Sequence, residues 1–371
     1  MLDGSNRDDP KRAPPTIRDV AAAAGVSIAT VSAVLNGKVR VSPQRSELVR
    51  KAIADLGYAP NGPARSLRSG RSKVIGIVVG NVANPFFTSV IRIIEQRASE
   101  AGYFVMVANS DDDVDRELEL LRLFREQRVA GIVLAPAASD DDYVAALRDA
   151  IDVPAVLVDR QLPDMPFDTV VVDNRKAARS VTQYLLRLGH KRIGIVLADP
   201  QFWTTQERLA GYREAMAEAG HSPDPALQCL TVPREAEAYQ AVQRLLTGPK
   251  PPTAIFAANN VTMLATVESV FDIGYRCPDD ISIAGIDELP WASAIRPKLT
   301  TVCQPVEDIG KETMRLLLGR LDRSVESSTE PRRVMLEPRL FIQNSCARIT
   351  DKTAELAATG AQESRINALQ A

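Results

Sequence analysis

From Lys73 onward, short runs of consecutive aliphatic residues alternate with stretches whose apolar positions recur every three or four residues. The runs at 74–79, 104–107, 131–134, 155–158, 169–172, 193–197, 254–257 and 281–286 predict buried strands. Helical spacing over 86–101, 114–127, 175–188, 207–219, 235–246 and 262–273 predicts helices between them. Nearly continuous apolar strands separated by helices describe parallel sheets covered on both faces. The alternation runs to about residue 172 and then restarts. Two similar, doubly wound α/β subdomains follow, with ligands expected at the carboxyl ends of their strands.

The first sixty residues carry a different pattern. Ile17-Arg18-Asp19-Val20-Ala21-Ala22-Ala23-Ala24 is an alanine-rich run with helical apolar spacing, and Gly25 is suited to end it with a positive φ. Ser27 is placed to cap a second short helix from Ile28 to Leu35, which Asn36-Gly37 terminates. A third helix starts with Ser42 as cap and Pro43 in its first turn. Leu48, Val49, Ala52, Ile53 and Leu56 form its apolar face before Gly57. Two short helices joined by a tight glycine turn form a helix-turn-helix, whose second helix enters the DNA major groove.

Charge strengthens that reading against a small bundle that packs for its own sake. Residues 1–73 hold 13 Lys+Arg against 6 Asp+Glu, net +7, which leaves −9 for the rest of a chain whose total is only −2. A basic head on an acidic body is the footprint of a DNA-binding module. The segment from Asn61 to Ser72 is rich in Gly, Pro, Ser and Arg and reads by composition as a linker.

At 371 residues the chain has room for two or three domains, and 45% hydrophobic with 25% charged residues is ordinary for a globular protein. Met1 to Pro15 is a polar, charged, disordered tail, neither signal peptide nor membrane segment, and no later run is long enough to span a bilayer. Cys229, Cys277, Cys303 and Cys346 are scattered and read as reduced, mostly buried thiols, consistent with a cytoplasmic location. Asp111, Asp113 and Asp115 resemble the start of a calcium loop. Arg116 replaces its glycine and Arg122 its final glutamate, so these acids favour the following helix N-terminus instead. With His190 and His221 far apart, no metal cluster and no Ser-His-Asp set suggests itself, and there is no phosphate-binding glycine loop. His190, after Leu188-Gly189, reads as a helix-end residue. Neither enzyme activity nor a cofactor is expected. After Cys346 the tail, residues 347–371, is polar. Leu356, Ile366 and Leu369 do not sustain a heptad, and Gly360 interrupts them.

The run from Thr16-Ile17-Arg18-Asp19-Val20-Ala21 through Ala24-Gly25-Val26-Ser27 and Thr30-Val31-Ser32 to Leu35-Asn36-Gly37 resembles the headpiece of the LacI/GalR family of bacterial transcription regulators. Gly57-Tyr58-Ala59-Pro60-Asn61 and Ala64-Arg65-Ser66-Leu67-Arg68 continue the match, and the likeness extends to about Cys346. It implies an all-α helix-turn-helix headpiece at 16–60, a hinge helix at 61–73 and a periplasmic-binding-protein-like core at 74–346. One core subdomain is expected to take about 74–172 and 304–333, and the other about 173–303 and 334–346. A homodimer on a palindromic operator and a sugar-like effector in the interdomain cleft are likewise implied.

By matched position, Thr16, Ser27, Thr30, Ser32 and Asn36 are expected to contact DNA, chiefly phosphates, while Ile28, Ala29 and Ala33 face base edges. Ala33 stands where many relatives carry arginine, so only apolar base contacts are available there. Asn61 caps the implied hinge helix, Ala64 and Arg65 lie on it, and Leu67 matches the residue that wedges into the minor groove. For the effector, the resemblance nominates Asn84, Phe86, Phe87, Asp159, Thr204, Arg208, Asn259 and Asp287, a set that combines forked donors with amide and carboxylate acceptors. Asn260 replaces the usual aspartate after Asn259, Pro233 lies where relatives place an aromatic, and Phe202-Trp203 is a local feature able to stack. The rival functions are a solute-binding protein and a ligand-processing enzyme on the same core.

Overall fold

The computed structural model describes residues 15–35, 41–58, 72–231, 235–287, 289, 292, 294–322 and 330–349. The chain divides into two compact units between Ser72 and Lys73.

In the first unit, α1 (Ile17–Ala23), α2 (Ile28–Leu35) and α3 (Pro43–Leu56) pack around Val20, Ala21, Ala24, Val31, Val49 and Ala52. The Asp19 carboxylate accepts from the Thr16 amide and hydroxyl at 2.7 Å each, which fixes the start of α1. Gly25 adopts φ +63°, and the axes of α1 and α2 turn by 105°. Ser27 Oγ accepts the Thr30 N–H at 3.2 Å and so caps α2. Two expectations change. Ser42 occupies the N-cap of α3 with extended backbone, but its side chain makes no capping bond; Pro43, with no N–H to satisfy, opens the helix. Leu48 and Leu56 are exposed at 53% and 38%, because the three-helix core is only wide enough for Val49, Ala52 and Ile53. The Asn36-Gly37 stop lies outside the described residues.

The second unit holds two six-stranded sheets. The first contains β1 (Val74–Val79), β2 (Phe104–Asn109), β3 (Gly131–Leu134), β4 (Ala155–Val158), β5 (Asp168–Val172) and β11 (Arg333–Leu336), in the order β2-β1-β3-β4-β5-β11. The second contains β6 (Ile193–Leu197), β7 (Gln228–Leu230), β8 (Ala254–Ala257), β9 (Ser282–Ile286), β10 (Thr300–Cys303) and β12 (Arg339–Phe341), in the matching order β7-β6-β8-β9-β10-β12. Every pairing is parallel except β10 with β12. Burial on both faces explains the continuous apolar runs. Along β1, Ile75, Ile77 and Val79 pack towards α4 (Pro85–Glu100) and α11 (Val306–Leu321). Val78 packs towards α5 (Val114–Glu126) and α6 (Asp141–Ala150). In the second sheet, Ile193, Ile195 and Leu197 face α7 (Asn174–Arg187) and α8 (Trp203–Glu218). Val196 faces α9 (Glu235–Thr247) and α10 (Asn260–Asp272).

The chain crosses between sheets after β5, returns after β10 into α11, and crosses finally between Leu336 and Arg339, a few residues beyond the expected 333/334. Arg320 of α11 grips Asp168 at the start of β5 at 2.7 Å, fastening the returning helix to the first sheet. Helix α8 begins at Trp203 rather than 207, because the Gln206 N–H already bonds to the Phe202 carbonyl. Elements α6, β7, β10, α11, β11 and β12 go beyond those that the apolar pattern predicts. β11 and β12 alternate half-buried and exposed positions and carry Arg333 and Arg339, so neither presents an apolar run. Among the described residues, no single helix is long and apolar enough to cross a membrane.

Candidate ligand site and nucleic-acid interface

Parallel strands point their carboxyl ends the same way, and in each sheet the loops at those ends supply polar groups. Between the two sets lies a cavity of about 700 Å³. All eight residues nominated for the effector line it: Asn84, Phe86, Phe87, Asp159, Thr204, Arg208, Asn259 and Asp287.

Each has a structural reason for its place. Asn84 caps α4, accepting from the Phe86 N–H at 2.9 Å, which turns Phe86 and Phe87 into the cavity wall with their rings edge to face at 5.2 Å. Asn259 caps α10 in a reciprocal box with Thr262. Asp159 and Asp287 follow β4 and β9 with φ of +65° and +81°, a strained backbone for non-glycine residues. Their amides bond equivalently to Val170 and Val302 of the neighbouring strands. Arg208 is 6% exposed, not a surface residue. Its Nε donates to Asn174 Oδ1 and its Nη1 to the Ala258 carbonyl, both at 2.7 Å, and no hydrogen bond from Nη2 occurs among the described residues. Burial raises the Asp159 carboxyl above the usual range, Arg160 and Arg208 oppose that shift, and Asp287 adds to it.

The structure adds residues that sequence reasoning misses. Arg160 is 8% exposed and donates from Nη1 to Asp112 Oδ1 and the Pro136 carbonyl, both at 2.7 Å. Its guanidinium carbon lies 3.8 Å from the Phe202 ring centroid, so a residue of the first sheet stacks on one of the second. The Asp112 carboxylate lies so close over Gly80 that a side chain there would have no room. Gln304 donates to Asp287 Oδ1 at 2.6 Å. Two further bonds cross the cleft: Asn260 Nδ2 to Asn84 Oδ1 at 2.5 Å, and Ser139 Oγ to the Gln201 carbonyl at 3.2 Å. The only sequence signal for Arg160 is a charged Asp-Arg pair closing an apolar strand. Asp112 and Gln304 give none, since fold alone brings them in.

Behind Arg160 sits Glu117, fully buried, with the Tyr143 hydroxyl donating to its Oε1 and its Oε2 unpartnered. Burial pushes its carboxyl up to about 7, against the lowering effect of Tyr143 and Arg160.

The DNA-contact candidates fall into two groups. Val31 is buried, which leaves Thr16, Ser27, Ile28 and Ala29 exposed and Thr30, Ser32 and Ala33 half-buried. Val31 turns one side of α2 into the core while the nominated base-facing residues, Ile28, Ala29 and Ala33, stay accessible to different degrees. Asn36, Asn61, Ala64, Arg65 and Leu67 lie outside the described residues, as does Pro233.

Other sequence features resolve structurally. Asp113 caps α5 through the Arg116 N–H at 2.8 Å, Asp115 lies in its first turn, and Asp111 pairs with the Arg116 side chain. His190 follows the end of α7, is buried between Thr253 Oγ1 at 2.9 Å and the Ala347 carbonyl at 3.1 Å, and burial lowers its pKa. None of the four cysteines is in a disulfide among the described residues, and all are half-buried rather than mostly buried.

Comparison with known proteins bears on both units. Residues 16–61 match the family described as bacterial regulatory proteins, lacI family, and residues 182–346 match the periplasmic binding protein-like domain. The transcriptional regulator DegA of Bacillus subtilis is 32% identical over 332 residues, 89% of this chain and 97% of DegA. The transcriptional repressor PurR of Photobacterium profundum is 34% identical over 338 residues, 89% of this chain and 98% of PurR. Among solved structures, a complex of the transcriptional regulator CelR with cellobiose has a TM-score of 0.67 at 32% identity, covering 89% of this chain and 99% of CelR. The lac repressor dimer bound to operator and the anti-inducer ONPF has a TM-score of 0.80 at 26% identity, covering 90% and 100%.

Proposed function

The chain belongs to the LacI family of bacterial regulatory proteins, and from that premise we propose that a sugar-like effector in the cleft controls its hold on a palindromic operator. It is a DNA-binding transcriptional regulator with an effector-binding core. The finer reading makes it a cytoplasmic homodimeric repressor. The observation that carries the effector reading is the convergence of all eight nominated residues on one cavity between the two sheets.

Thr16, Ser27, Thr30 and Ser32 hold phosphates and set the register, while Ile28, Ala29 and Ala33 meet base edges through apolar contact. The segment 61–73 serves as a hinge helix, with Asn61 as its cap, Ala64 and Arg65 against the minor groove and Leu67 wedged between base steps. In the cleft, Arg208 donates, Asp159 and Asp287 accept, Asn84, Thr204 and Asn259 complete the polar ring, and Phe86 with Phe87 bounds the apolar side. A ligand that favours the closed cleft shifts the closure equilibrium and, through the hinge, the DNA affinity.

Binding-site selection on the full chain, followed by operator titration at several salt concentrations and with a metabolite panel, tests this. A two-fold consensus, steep loss of affinity with salt and an effector-dependent shift are expected. A single half-site bound by a monomer, or affinity indifferent to salt, would overturn it.

A further inference from the structure

We propose that the cleft takes an uncharged, polyhydroxylated ligand and rejects the phosphorylated and carboxylated forms of the same molecule. This rests on the effector reading above and narrows it.

Among the described residues, the cavity is lined by five acids, Asp111, Asp112, Asp159, Asp287 and Glu237, and by two cations, Arg160 and Arg208. A site built for an anion needs free guanidinium or ammonium forks, because bidentate donors give phosphate and carboxylate their affinity. Neither arginine is free in that sense. Arg160 commits Nη1 to Asp112 and the Pro136 carbonyl, its flat face lies against Phe202, and its Nε is buried 3.7 Å from Asp159 Oδ2, which leaves Nη2 alone rather than a fork. Arg208 commits two of its nitrogens to Asn174 and Ala258, which leaves Nη2 as a single donor, enough for one hydroxyl or ring oxygen.

The acceptors are in the opposite condition. Asp159 keeps a side chain only 12% exposed, yet its nearest cationic atom, Arg160 Nε, stands at 3.7 Å, beyond hydrogen-bond reach. Asp287 gives Oδ1 to Gln304, and no bond to Oδ2 occurs among the described residues. An ionised carboxylate only accepts, so a ligand hydroxyl, which can donate as well as accept, suits Asp287 and suits Asp159 in either protonation state. No group of three potential metal ligands exists among the described residues, so a cation held by those carboxylates is not the fit. Hydroxyl groups are. An added phosphate or carboxylate would bring like charge into an enclosed, net-negative lining and leave buried acceptors facing acceptors, the arrangement that discriminates most strongly between close analogues.

The test uses the full chain and matched sets of probes: neutral mono- and disaccharides, their phosphate esters, and the corresponding sugar acids. Calorimetry reads affinity, and operator titration reads the response. At least one neutral sugar should bind, with its phosphate ester and its acid at least about tenfold weaker. Asp287→Asn and Asp159→Asn should each weaken the neutral sugar and narrow its margin over the charged forms. Melting curves without ligand confirm that both variants fold. An ester or acid that binds as tightly as its parent sugar overturns the charge rule and leaves effector control standing. Binding by none of the probes, with operator binding intact, overturns the charge rule and the sugar-like effector together.

Discussion

The two halves of the core share a strand order and even a local device, yet they contribute different chemistry to the cleft. Each sheet ends its fourth strand in an aspartate at positive φ whose amide bonds to the fifth strand. In the first half, Asp159 is followed by Arg160, which is locked onto Asp112 and turned across the cleft towards Phe202. In the second half, Asp287 is instead held by Gln304, and the cation comes from a helix, as Arg208. The first half brings the aromatic wall of Phe86 and Phe87; the second brings Thr204 and Asn259. Repetition of topology thus fixes where the acceptors stand, while divergence of the loops decides what faces them. The lining comes from both halves, so on the proposed reading a ligand held by both would favour the closed cleft.

Removing Arg208 should produce the largest effect. Arg208→Ala deletes a buried cation bonded to Asn174 and to the Ala258 carbonyl and leaves Asp159 with one fewer opposing charge. A stability loss of about 3–5 kcal/mol is expected, because two buried charge-assisted hydrogen bonds, each worth about 1.5–3 kcal/mol, are lost together. Arg208→Lys should recover part of it, since one ammonium cannot serve both partners in the guanidinium geometry. Denaturant titration checks the first figure and calorimetry the accompanying loss of effector affinity. A variant as stable as the parent would mean that the second half does not depend on its arginine.

The first half carries a pH dependence set by a buried carboxyl. Glu117 ordinarily titrates near 4.5 and is pushed up to about 7 in the fold by burial. Tyr143, Arg160 and Asp112 are the charged or titratable groups that act on it. Its folded pKa lies above its unfolded one, so its contribution to stability is fully present below about pH 4.5 and is lost as pH rises through 7. The span corresponds to roughly 3 kcal/mol. Glu117→Gln should remove that slope, so that the variant gains on the parent between pH 5 and pH 8. Unfolding free energies measured at both pH values decide it, and parallel pH profiles would sink the assignment.

Strand positions are the part of the fold most readable from sequence, because burial on both faces writes itself as uninterrupted apolar runs. Val74–Val79, Gly131–Leu134, Ala155–Val158, Ile193–Leu197 and Ala254–Ala257 begin and end where the runs do. The edge strands β11 and β12 are not readable, since a half-exposed strand three or four residues long has too few positions to show a period. The cleft follows the same logic. Matched positions nominate residues that follow strands or lie at the starts of helices, which a sequence motif can mark. Arg160, Asp112 and Gln304 depend on pairing across loops that only the folded chain brings together. The exposed Leu48 and Leu56 are the reverse case: helical spacing offers more apolar positions than a small three-helix core can cover.

The contact between the two halves gives the smallest effect and the sharpest comparison. Phe202 precedes α8 and is 4% exposed, with the Arg160 guanidinium over its ring. Leucine would retain most of the apolar volume and lose the ring face, so Phe202→Leu isolates the cation–π attraction. That attraction is worth about 0.5–2 kcal/mol, at the upper end where water is excluded. The two other bonds across the cleft, Asn260 to Asn84 and Ser139 to Gln201, remain in place, so the cleft should loosen rather than spring open. If closure accompanies binding, a less populated closed state lowers the apparent effector affinity in proportion, by up to about thirtyfold. Phe202→Tyr keeps a ring face and should behave as the parent. Small-angle scattering on ligand-free protein should find a slightly larger radius of gyration for the leucine variant alone. Emission from Trp203, the neighbouring residue, should change with it. Identical scattering, emission and effector affinity in all three proteins would show that the Arg160–Phe202 contact only fills space.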